Sequence, residues 1–344
     1  MTTAQNLRLT VSPWFWIVSL SLAMLSVALS IFLGVVDIPP QQVIDALLGN
    51  GAASAHSIII DIRLPRIATG VLAGIHFAVA GLLLQSITRN PLADPSIMGI
   101  LQGATLTVTL FLLFTVYLQN SGSHALPALP LEWLPFIGML GGLAAGGVIY
   151  ALAFMRNIGP LRITLCGIAV GAVLHALAIG LIAGWGSARI EVLLEWLSGS
   201  LYARNWQHAL FLLPFTIVGL VALPFIRRPL ELLRFDEAVS QSFGLSYRRQ
   251  FSFALFLSCL LAASAVGVVG PIVFVGLIVP HLARFFCRGA TALVLPMTIT
   301  LGAVIVTLGD LAGRLFGQAE EIPIGVVTAI CGAPLLILLL RKIP

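Results

Sequence analysis

From Trp14 to Val36 the chain carries no charged side chain, and it returns to such apolar stretches along most of its length. A run of about 20 apolar residues is the length of helix that crosses the hydrocarbon core of a bilayer. In lipid the backbone N–H and C=O groups must be satisfied within the protein, so runs of this kind are helical. Hydropathy windows predict ten of them, at 14–35, 64–86, 97–118, 134–155, 163–184, 206–226, 250–269, 272–287, 292–313 and 323–341. The eighth is short and flanked by Pro271 and Pro280, so nine or eleven spans also fit. The expectation is an all-α integral membrane protein, with residues 1–344 forming a single transmembrane domain.

Composition agrees. Only 9% of residues are charged and 59% are hydrophobic, with mean hydropathy +1.07; an average soluble domain has roughly 25% charged residues. The net charge of +5 does not point to nucleic acid, because basic residues in such a chain mostly mark cytoplasmic loops. The run from Trp14 is too long for the apolar core of a signal peptide, and no small-residue cleavage site follows, so it reads as the first span.

The cations orient the map. With residues 1–13 cytoplasmic, 13 of the 18 Lys and Arg residues fall inside, and five (Arg63, Arg66, Arg189, Arg204 and Arg314) fall outside. That is a strong positive-inside bias, and an even span count puts both termini in the cytoplasm. Arg189 has Glu191 and Glu195 nearby to neutralise it. The outer arginines otherwise run against the rule and invite a functional explanation.

Charge is also unevenly spread. Residues 227–249 hold eight of the formal charges: Arg227, Arg228, Glu231, Arg234, Asp236, Glu237, Arg248 and Arg249. From the residues alone, this platform reads equally as a docking surface for a soluble partner and as a solvated inside loop.

Catalytic signatures are missing. No GxxxxGK[ST], HExxH or GxSxG pattern occurs, and no metal-ligand cluster. Cys166, Cys259, Cys287 and Cys331 are scattered through apolar segments and read as packing thiols. The chain is therefore expected to hydrolyse nothing itself and to hold no cofactor and no metal. The ionisable groups within spans are His76, His175 and Asp310. A neutral histidine bonded to a neighbouring carbonyl is the ordinary arrangement, and Asp310 lies one helical turn before Arg314, close enough to pair with it.

Four stretches stand out. RLPR at Arg63–Arg66 leads through Gly70, Gly74, Gly81 and Gln85 to RNPLADP at Arg89–Pro95. WLSGSLY spans Trp196–Tyr202, shortly before Trp206. GPIVFVGLIVPHLAR spans Gly270–Arg284, with prolines expected to break the backbone on both sides of a short helix. EIPIGVVTA begins at Glu321, and GAP ends at Pro334; Pro323 is expected at a helix start. In this order, over nearly the whole chain from about residue 15, they resemble the FecCD-type permeases, the membrane subunits of iron–siderophore and vitamin B12 ABC importers. His76 and Gly309 depart from the usual pattern, at positions normally small or apolar and frequently alanine.

The resemblance implies a ten-helix subunit that pairs with a second permease subunit, identical or a sister chain, around a pore in the bacterial inner membrane. Two cytoplasmic ATPase subunits would drive it, and a periplasmic or lipid-anchored binding protein would deliver a metal chelate. It also implies short cytoplasmic coupling helices between spans six and seven, seated in a groove of the ATPase. The matching residues here are Asp236, Glu237, Ala238, Ser242 and Gly244. Phe235, Ala238, Val239, Ser242 and Phe243 fall on one helical face, the two acids suit its N-terminal end, and Gly244 suits its stop. Arg63, Arg66 and Arg314 match family arginines that receive acidic residues of the binding protein; without that role they would snorkel to headgroups. The substrate this implies is a ferric siderophore, with haem and cobalamin as alternatives. A proton-coupled transporter working alone would instead need a relay built on His76, His175 or Asp310, and a scaffold with no transport role would need none of these sites.

Overall fold

The computed structural model describes residues 13–119, 131–154, 159–184, 194, 196–287, 290–317 and 321–340. Residues 1–12 lie outside the described residues, as do Arg156, Arg189, Glu191, Glu195, Arg288, Glu320, Arg341 and Lys342.

Every described element is helical. α1 is Pro13–Phe32 and α2 is Pro40–Leu47. A turn at Ala53–His56 and a π-wound segment at Ser57–Arg63 lead without a break into α3, Leu64–Thr88. There follow α4 (Ile100–Gln119), α5 (Leu134–Phe154), α6 (Pro160–Gly184), α7 (Trp206–Leu232), α8 (Glu237–Ser242), α9 (Tyr247–Val269), α10 (Val275–Cys287), α11 (Thr291–Gly317) and α12 (Ile324–Leu340). Pro40 and Pro160 sit in first turns, where a missing N–H leaves no helix bond unmade. Pro323 immediately precedes α12, as expected.

Among the described residues, seven helices are long and apolar enough to cross a membrane: α1, α3 with its lead-in, α5, α6, α7, α9 and α11. The third, eighth and tenth expected spans coincide with shorter apolar helices, at Ile100–Thr115, Val275–Cys287 and Ile324–Leu338. This is a multi-pass membrane architecture.

Several boundaries differ from the hydropathy reading, two of them beside the charged segment. α7 continues to Leu232 rather than ending at 226, and α9 begins at Tyr247 rather than 250. Arg227, Arg228, Arg248 and Arg249 therefore lie on helix ends. A helix is not obliged to stop where lipid stops, because its hydrogen bonds are internal and serve equally well in water. In the third motif only Pro271 breaks the chain. Pro280 lies inside α10. Having no N–H, it leaves the Gly276 carbonyl without its helix donor, and Gln85 Nε2 donates to that oxygen at 3.2 Å and to Leu277 O at 3.1 Å. A buried amide on α3 thus makes good the bond that the proline removes.

α3 is the axis of the bundle. It is buried along most of its length and packs against α7, α9, α10 and α11. Two glycine pairs allow the closest approaches. A methyl group on Gly74 would overlap the Gly302 carbonyl of α11, and one on Gly81 would overlap the Gly276 carbonyl of α10. With little hydrophobic drive between helices in lipid, such small-residue contacts supply dispersion by bringing backbones together.

Candidate functional sites at the two ends of α3

The residues singled out in the sequence gather at opposite ends of α3. At its N-terminal end lie Arg63, Arg66 and, from α11, Arg314. None is a free surface cation: they are 4%, 8% and 4% exposed. Arg63 Nη1 donates to Ile31 O at 2.7 Å, and its Nη2 donates to Val36 O, so its guanidinium caps carbonyls at the end of α1. Arg66 meets Asp310 of α11 through both Nε and Nη2, with 2.7 Å at the shortest, and reaches Glu321 through Nη1 at 2.7 Å. Arg314 Nε lies 3.1 Å from Asp310 Oδ2, one turn along the same helix, as the spacing predicted. Two guanidiniums and two carboxylates therefore close a compact network that ties α3, α11 and the start of α12 together. Asp310 entered the sequence reading as a relay candidate and as the i,i+4 partner of Arg314, and Glu321 only as the first residue of the EIPIGVVTA motif, which was the available signal.

At the other end of α3, α7 turns through Leu233–Asp236 into α8. Ser240 is fully buried and its Oγ donates to Leu232 O at 2.8 Å, pinning the short helix back on the end of α7. That orientation turns the predicted apolar face outward: Phe235, Val239 and Phe243 are 52%, 42% and 65% exposed, with Ala238 and Ser242 exposed beside them. Gly244 follows with φ 79°, the left-handed stop that glycine adopts without strain. Asp236 occupies the N-cap position but makes no cap bond. Its carboxylate instead meets Arg89 Nη1 at 2.6 Å, while Glu237 accepts from Gln241 Nε2 at 3.1 Å. Arg89 entered the sequence reading only as an inside cation. Its place in the RNPLADP motif was the available signal.

His76 lies between these ends, fully buried. Its Nδ1 is 3.0 Å from Ser264 Oγ of α9 and its Nε2 2.7 Å from Thr216 Oγ1 of α7. Both of these partners are hydroxyls, the Leu261 carbonyl also lies within hydrogen-bond reach of His76 as expected, and no carboxylate is bonded to the ring. Ser264 and Thr216 in turn bond to carbonyls of their own helices, so the chain of polar groups ends locally. Among the described residues no group of three His, Cys, Asp or Glu side chains could hold a metal.

Residues 22–342 match the FecCD transport family. The chain belongs to that family. Among curated FecCD-type relatives, the iron(3+)-hydroxamate import system permease protein FhuG of Bacillus subtilis is 32% identical over 91% of this chain and 92% of its own length. The Fe(3+) dicitrate transport system permease protein FecD of Escherichia coli is 32% identical over 95% and 98%. The ferric enterobactin transport system permease protein FepD of the same organism is 33% identical over 94% and 93%. Among solved structures, an inward-facing conformation of a metal-chelate type ABC transporter superposes with a TM-score of 0.83 at 28% identity, covering 96% of this chain and all of the other. As a FecCD chain it is a transport subunit, which accords with the missing nucleotide-binding pattern.

Proposed function

We propose that this chain is the permease subunit of a binding-protein-dependent ABC importer that carries a ferric siderophore across the bacterial inner membrane. In this reading the ten apolar helices all span, both termini are cytoplasmic, and residues 1–344 form one permease domain with a coupling loop at 227–249. A second permease subunit completes the pore, and two ATPases supply the energy. The observation that carries the reading is the six-residue α8. It turns an apolar face out of the protein between two arginine-bearing helix ends, in a family whose named members import iron chelates. A short amphipathic helix of this kind suits a groove on a soluble partner. Asp236, Glu237, Ala238, Ser242 and Gly244 form and flank that helix.

At the far end, Arg63, Arg66 and Arg314 are assigned to docking of the binding protein. Arg66 is occupied inside the chain, so an incoming carboxylate would exchange there with Asp310 or Glu321, whereas the buried Arg314 Nη2 has no hydrogen-bond partner among the described residues. Arginine suits such exchange, because its planar fork accepts carboxylates in more than one pairing.

The test is uptake of labelled ferric hydroxamate, ferric citrate, ferric enterobactin, haem and cobalamin by cells with and without the chain. Chain-dependent, ATP-requiring uptake of at least one iron chelate is expected. Uptake confined to haem or cobalamin would reassign the substrate. Uptake that needs no ATPase and collapses with the proton gradient would overturn the importer reading. Alanine at both Asp236 and Glu237 is expected to weaken ATPase association or uncouple hydrolysis from uptake.

A further inference from the structure

Arg89 closes α3 and links it to the segment around α8, and each arm of its guanidinium reaches a different element. Nε donates to Leu233 O at 3.2 Å, at the end of α7. Nη1 meets Asp236 Oδ1 at 2.6 Å, at the head of α8. Nη2 donates to Tyr247 Oη at 3.1 Å, at the start of α9, and the guanidinium lies 5.9 Å from the centre of that ring. The planar fork makes this possible; a lysine ammonium, a single point on a flexible stem, would not span all three.

The backbone at Arg89 points the same way. Its φ is 51°, in the left-handed region that closes α3. Glycine or asparagine adopts this conformation readily, whereas another side chain is strained there by its Cβ. Arginine is present despite that strain, which is the pattern of a position held for its side chain.

What Arg89 is attached to gives it consequence. α3 is close-packed on α11 at Gly74–Gly302 and on α10 at Gly81–Gly276, so a push at one end is not absorbed by slack along its length. Its opposite end carries Arg66, bonded to Asp310 and Glu321. By contrast, Ser240 fastens α8 only to α7. Arg89 adds a direct side-chain bond from the end of α3 to the head of α8, where the other route between them runs through the packing of α7 and α9.

We infer that Arg89 is the positioning residue through which displacement of α8 enters α3, and that α3 carries the displacement to the arginine–carboxylate network at its other end. This rests on the proposal that α8 is the coupling helix.

The test uses the complete importer, with both permease subunits, the ATPases and the binding protein, in proteoliposomes. Radiolabelled ferric hydroxamate is the probe, with ferric citrate and ferric enterobactin as second and third probes. Arg89→Asn keeps a residue at ease in the left-handed conformation and removes the fork. Uptake per ATP hydrolysed is expected to fall about tenfold, within the usual range of coupling between sites, while the ATPases stay bound and active. Arg89→Lys is expected to lower it as well, and serves if the asparagine variant does not assemble. Arg89→Asp combined with Asp236→Arg should recover part of what Arg89→Asp alone loses. Uptake per ATP within about twofold of the parent in Arg89→Asn or Arg89→Lys overturns the inference. So does a loss of ATPase binding in proportion to uptake, which would make Arg89 a docking residue. The parent protein is the separate control for the importer reading: if it needs no ATPase for uptake, that reading fails and takes the role of Arg89 with it.

Discussion

Arg66 and Asp310, 244 positions apart in the chain, are joined by three hydrogen bonds, from Nε to both carboxylate oxygens and from Nη2 to Oδ1. Asp310 also faces Arg314, so one carboxylate serves two buried cations. Removing one member of a buried pair leaves an uncompensated charge and costs roughly 3–5 kcal/mol. Asp310→Ala is therefore expected to lower the thermal midpoint of the purified subunit more than Arg314→Ala, which leaves the Arg66 pair intact. Equal midpoints for the two variants would contradict the shared-carboxylate arrangement.

Glu321 is the more exposed of the two acids that hold Arg66. Glu321→Gln weakens one arm of that cation without touching its bond to Asp310. If binding-protein carboxylates exchange into this network, the variant should bind the loaded binding protein about five times more tightly, roughly 1 kcal/mol. The gain should shrink at high salt, where partly exposed charges are screened. Unchanged or weaker binding, measured by surface plasmon resonance at two salt concentrations, would count against exchange.

Val239 and Phe243 project from α8 into solvent. Exposed substitutions usually alter stability within about 0.5 kcal/mol. Val239→Asp and Phe243→Asp should therefore leave the melting of the isolated subunit nearly unchanged. Loss of a buried contact at the centre of an interface typically costs at least about 2 kcal/mol, so affinity for the ATPase should fall by about thirtyfold or more. Normal co-purification of the ATPase would place the docking surface elsewhere.

His76 is enclosed by two hydroxyls whose own helices offer them carbonyl acceptors. His76→Gln is expected to retain ATP-driven uptake within about fivefold, because a lost neutral hydrogen bond is worth only about 1 kcal/mol. Dissipating the proton gradient with ATP held constant should not alter that result. Loss of uptake in both arms would return the histidine to candidacy as a proton carrier.

Gly81 and Gly147 make a matched pair. A side chain on Gly81 meets backbone of α10, whereas one on Gly147 meets nothing within 4 Å. Overpacking of a close contact commonly costs about 1–3 kcal/mol. Gly81→Ala should lower membrane yield and thermal midpoint, while Gly147→Ala should change neither.

Much of this protein was readable before folding. The apolar windows located the helices, because a bilayer imposes a length and forbids unpaired backbone. The spacing of Asp310 and Arg314 predicted their pairing, since four residues make one helical turn. The face of α8 could be drawn from Phe235, Val239 and Phe243 for the same reason. Helix ends were less legible. Hydropathy registers where lipid stops, and α7 and α9 run on past that level into the charged segment.

Sequence alone determined the class of protein, the course of its helices and the motifs that link it to its family, because these depend on local period and composition. Tertiary structure alone decided what the charged residues do. Arg63, Arg66 and Arg314 look alike as outer cations, yet one caps α1 and two share a carboxylate. Arg89 looks like one more inside arginine, yet it joins three elements at the foot of α3. A guanidinium in a low-dielectric interior takes whichever acceptors the fold brings within reach, and those acceptors lie tens to hundreds of positions away in the chain.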